Sequence, residues 1–214
     1  MNRRSIFRTA AALLATLALA APWTLAHAAD EAPDAMIKRL SDEVLGIIKT
    51  DKAVQSGDIN RIMQVVDTKV MPNVNFQRMT ASAVGPMWRQ ATPEQQKRLQ
   101  DEFKLLLVRT YAGALSQVSE ESVNMKPLRA SPTDTEVVVR SEIRGRGEPI
   151  QLEYRLEKTP GQGSGWKIFN LNVLGVWLVE TYRSQFAQEL NAKGVDGLIA
   201  TLSERNRSNA AKKG

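Results

Sequence analysis

Two short runs hold residue types that acyl-transfer or phosphate chemistry uses. Ser164-Gly165-Trp166-Lys167 spells Ser-x-x-Lys, in which a lysine amine activates a serine hydroxyl. That chemistry needs the serine at a helix start, and here the motif straddles a glycine turn entering a strand-like alternation. "GQGSG" at 161–165 has the glycine content of a phosphate loop, but no helix follows it to offer free N–H groups, so it reads as a hairpin turn. Asp101-Glu102 and Glu120-Glu121 are adjacent carboxylates that point in different directions and read as solvated surface, not as a shared acid/base site. A carboxylate pair assembled from distant positions stays open at this level. The sequence has no cysteine and one histidine, His27.

That histidine lies in a segment expected to be removed. Residues 1–28 place Arg3, Arg4 and Arg8 before an Ala/Leu run that ends in Ala26-His27-Ala28. This is the layout of a bacterial export signal, with a small-x-small cleavage site. "NRRSIFR" also approximates a twin-arginine motif. The mature chain is expected to begin at Ala29, to reside in the periplasm, and to have neither histidine nor cysteine. A Ser-His triad, a thiol nucleophile and the usual zinc sites are then excluded. The remaining 186 residues are enough for one domain without disulfides.

The net charge of +6 comes from 29 basic and 23 acidic residues. Three cations belong to the leader and four, Arg205, Arg207, Lys212 and Lys213, to the tail, which leaves 22 basic against 23 acidic over residues 29–204. The high pI therefore belongs to the two ends. Nucleic-acid binding, which needs a basic stripe on the fold, is not expected. The polar tail 205–214 is expected to be disordered.

The elements follow from hydrophobic period. Residues 33–49 put Met36, Ile37, Leu40, Val44, Leu45 and Ile48 on one helical stripe, and residues 58–71 repeat the pattern up to Pro72. A long helix opens with Thr92 as N-cap, Pro93 as its first residue and Gln95 closing a capping box. From about residue 122 the period falls to two. "SVNMKPL", "EVVVRSEIRG", "IQLEYRLEKT" and "WKIFNLNV" form a four-stranded antiparallel meander, followed by helices over 176–190 and about 195–205. The fold class is α+β, with helices packed on a curved four-stranded antiparallel sheet, cone-like around an apolar interior. Such a cone packs solid, binds a ligand, or hosts an isomerase-type enzyme with Asp and Tyr as acid and base. No Asp beside a Tyr is visible on the expected inner faces.

Three stretches, in order, resemble one family. "WKIFNLNVLGVWLVETYRSQF" leads with Trp166, turns at Gly175-Val176, and continues through Tyr182, Arg183 and Phe186. "MWRQATPEQQKRLQDEF" at 87–103 and "GVDGLIATL" at 194–202 complete the set. Together they resemble the MlaC family, the toluene-tolerance auxiliary components of ABC transporters, over essentially the whole mature chain. Leu174, where an acid is common, and Trp177, where a small residue is usual, depart from the pattern.

The resemblance implies a periplasmic phospholipid shuttle that maintains outer-membrane lipid asymmetry, with no catalysis and no cofactor, phospholipid being the cargo. Its implied partners are an outer-membrane lipoprotein–porin complex and an inner-membrane ABC transporter with its substrate-binding ring. The expected lining is Tyr111, Leu115, Val139, Ile150, Leu152, Tyr154, Ile168, Val173, Val176 and Val179. The alternatives are a cone-fold enzyme and a periplasmic chaperone or lipoprotein carrier.

Overall fold

The capping box at Thr92 forms: the Gln95 N–H donates to Thr92 Oγ1 at 3.2 Å, and Gln95 Oε1 accepts from the Thr92 N–H at 2.9 Å. It starts the long helix α5, Pro93–Leu115. The computed structural model describes residues 31–115, 121–145 and 147–211. The expected leader, Glu120 of the Glu120-Glu121 pair, and Lys212 and Lys213 of the tail lie outside the described residues.

Four α-helices precede α5: α1, Pro33–Thr50; α2, Lys52–Gln55; α3, Ile59–Val65, which runs on as a π-helical turn over Val66–Val70; and α4, Phe76–Val84. The sheet runs β1, Ser122–Met125; β2, Glu136–Arg144; β3, Ile150–Lys158; β4, Trp166–Val173; and β5, Val176–Trp177, every neighbour antiparallel and in sequence order. The helix α6, Leu178–Ala211, closes the described chain with a break at Gly194, whose φ of 67° is left-handed.

The fifth strand departs from the expected four. Val173 pairs with Val176, so the chain reverses through Leu174 and Gly175. Both have positive φ, 52° and 87°, as the centre of a two-residue type I′ hairpin requires. The turn is held by the buried Asn172, whose Oδ1 accepts from the Gly175 N–H at 2.8 Å. Asn170, also buried, accepts from the Val179 N–H and donates to Glu180, tying the start of α6 to β4. Val176 therefore belongs to a strand and not to the helix expected from residue 176.

Leu174 is the one described non-glycine residue with positive φ. Holding an L-residue there costs about 1–2 kcal/mol. Leu174→Asn, the residue that type I′ turns favour, is expected to stabilise the protein by about 1 kcal/mol, seen as a rise of a few degrees in a thermal melt.

Burial divides into three clusters. One joins α4, α5 and α6 around Phe103, Tyr182, Phe186 and Leu198. A second seats Met36, Ile37 and Leu40 of α1 on Val137, Val139, Leu156, Trp166 and Ile168 of the sheet. A third gathers α1, α2, α3, Val108 and Ala112 of α5, and Val123 of β1.

The expected disordered tail is helical where it is described. α6 runs on to Ala211, and buried Asn206 donates to the Glu102 carbonyl at 2.9 Å and to its carboxylate at 2.7 Å. One buried amide anchors a polar segment that has no apolar stripe.

On the outer face of the sheet, the Glu142 carboxylate accepts from Gln151 at 2.9 Å and Lys126 at 2.6 Å, and pairs with Arg144. The Gln151 hydrogen bond first, then those from Lys126 and Arg144, lower its pKa from 4.5 to about 2. A depressed carboxylate contributes stability above its unfolded pKa and loses it as pH falls through the folded one. Glu142→Gln is therefore expected to flatten the fall in stability between pH 4.5 and about 2, measured by urea melts across that range.

Candidate functional site

Strand register sets which side chains share the face that the helices cover. Row by row, that face carries Val137–Leu156–Ile168, then Val139–Tyr154 with Leu171, then Met125–Ser141–Leu152–Val173–Val176, then Val123–Ile143–Ile150. The β4 bulge opposite Arg155 and Leu156 inserts Phe169, so Ile168 and Val173 face the same way despite their odd separation. None of these inward positions is an acid.

Burial falls along the rows on the β3–β5 side, while Ser141 and Val123 on the β1–β2 side stay buried. Leu156 is 0% exposed and Val139 1%, whereas Leu152 and Val173 are half-buried, Ile150 is 39% exposed and Val176 50%. A filled interior would have closed over all of them. Instead, α5 packs chiefly on α3, α4 and α6. An apolar wall is left partly exposed at the corner where β3 and β5 begin and β4 ends. Leu174, at the hairpin tip next to Val173, is 63% exposed.

The structure thus brings together Ile150, Leu152, Val173 and Val176, with Tyr154 one row deeper. Tyr111 lies on α5 and is 37% exposed. Val139 and Ile168 are enclosed beneath α1, and Val179 is packed among the helices, so these three form ordinary core. The Leu115 side chain lies outside what the structure describes. Ile143 and Leu171 share the wall and went unselected from the sequence. The alternation itself marked Ile143, and the bulge hid Leu171.

The tyrosines here are set up to stay protonated. Burial pushes up the hydroxyls of Tyr111, Tyr154 and Tyr182; Ser141 and Ser41 oppose it at Tyr154, and Thr110 opposes it at Tyr182. No carboxylate contributes to any of the three shifts. Among the described residues, no group of three or more His, Cys, Asp or Glu is placed to hold a metal ion. The side chains that the described part of the corner presents are apolar or tyrosine, a surface suited to covering apolar chains.

Known proteins match this chain along most of its length. The family described as MlaC protein matches residues 38–204. Toluene tolerance protein ttg2D of Pseudomonas putida is 26% identical over 181 residues, 84% of this chain and 83% of that protein. The intermembrane phospholipid transport system binding protein MlaC of Haemophilus influenzae is 23% identical over 179 residues, 82% and 83% of the two chains. Among solved structures, the phospholipid-binding protein from Ralstonia solanacearum in complex with a phospholipid is 47% identical. It superposes with a TM-score of 0.79 and covers 83% of this chain and 98% of that one.

Proposed function

Since the chain belongs to the MlaC protein family, we propose that it is a periplasmic phospholipid-binding transport protein. Its cargo tails lie against the unfilled wall of Ile150, Leu152, Val173 and Val176. The observation that carries this reading is the loss of burial from Leu156 through Leu152 and Val173 to Ile150 and Val176, in a chain otherwise packed into buried clusters.

The physical need for such a carrier is large. Exposing two acyl tails to water costs on the order of 20 kcal/mol, at about 0.8 kcal/mol per CH₂. Free phospholipid therefore does not cross an aqueous compartment at a useful rate. A carrier covers the tails, leaves the head group at the open corner, and needs no bond-making step. In this reading the leader is cleaved at Ala28, the mature protein begins at Ala29, and lipid is exchanged with an outer-membrane lipoprotein–porin complex and an inner-membrane ABC transporter.

The test is transfer. The mature protein should move a fluorescent phospholipid from donor to acceptor vesicles at a rate that rises with protein concentration. A rate independent of protein would remove the reading.

A further inference from the structure

We propose that a shallow depression between the end of α4 and the outward face of α6 docks an acidic segment of a protein partner. This goes beyond cargo binding and concerns a surface away from the apolar corner. The depression, about 360 Å³, is lined by eight residues; Arg78, Arg89 and Arg183 are among them, and none is acidic. Residues 29–204 are close to neutral, so this concentration of charge is local.

The three arginines are not equivalent. Arg78 is matched by Glu136 and Glu157 and stacks over Phe169, its guanidinium carbon 3.6 Å from the ring centre. Arg89 and Arg183 are exposed and have no carboxylate partner among the described residues. Gly85, with φ 73°, shares the lining, and a Cβ there would lie 3.8 Å from Arg183 Nε. That is an ordinary contact distance, so it is the left-handed φ, not a lack of space, that calls for glycine at this position. Trp88, buried, backs the depression, and Ser82 adds a hydroxyl to its lining.

Guanidinium forks around a concave floor match carboxylate geometry, because each can donate two parallel hydrogen bonds to one carboxylate. A bilayer surface requires something different, basic residues interleaved with apolar side chains that insert. The exposed large apolar residues, Tyr111, Ile150, Leu174 and Val176, are not in this lining. A volume of this size accepts a few side chains of an extended segment.

The experiment uses the mature protein and a fluorescein-labelled peptide of alternating Asp and Glu, followed by anisotropy at low salt. The wild type should bind, and the double variant R89A/R183A should bind roughly tenfold or more weakly, with melting temperature and lipid content unchanged. Ser82→Glu, which adds a like charge to the peptide's while leaving the arginines in place, should weaken binding in the same way. Failure of the wild type to bind, or equal binding by the variants, overturns the proposal. So does a loss confined to phosphatidylglycerol vesicles, which would assign the surface to a membrane.

Discussion

Phe103→Ala should lower the stability of the lipid-free protein by about 3–5 kcal/mol and its melting temperature by roughly 10 °C or more. Phe103 is 0% exposed. Its ring lies 4.9 Å from Tyr182, 5.2 Å from Phe186 and 5.7 Å from Phe76, the first two edge-on. Truncation removes the centre of an aromatic cluster that joins α4, α5 and α6, and rigid neighbours cannot collapse into the space. Below its melting point the variant should still carry lipid, because Phe103 faces the helices and not the sheet corner. Calorimetry of delipidated protein measures the first effect and lipid extraction the second.

Leu152→Trp should do the reverse. In a packed core the added volume costs typically 1–3 kcal/mol. At a half-buried position on the unfilled wall, the indole takes space meant for cargo. The delipidated variant is expected to melt close to the wild type. Purified with its native load, the wild type should gain about 3–4 kcal/mol from lipid held at 100–1,000 times its dissociation constant, and the variant much less. A variant that unfolds yet binds a full lipid complement would make Leu152 ordinary core.

The two expectations differ because the same apolar character serves two purposes, and the sequence separates them only in part. The helix of Phe103 was legible from Thr92, Pro93, Gln95 and the apolar spacing behind them. The inward face of β3 was legible from Ile150, Leu152, Tyr154 and Leu156. Helix α4 was missed: its buried positions, Met79, Thr80, Ala83 and Val84, have helical spacing but include small and polar residues that give a weak periodic signal. β5 was missed because a leucine in the left-handed region reads, from sequence, as strand running into helix. Openness was not legible at all. Val139 and Leu152 both alternate inward, and only the placement of α1 closes the one and leaves the other half-exposed.

The most direct test of a carrier with an unfilled apolar wall is what the purified protein holds. Mature protein taken from a periplasmic extract, without detergent, should yield phospholipid by mass spectrometry after solvent extraction, near stoichiometric with protein. Protein that carries no phospholipid, and whose melting temperature does not rise when phospholipid is added back, would contradict the account.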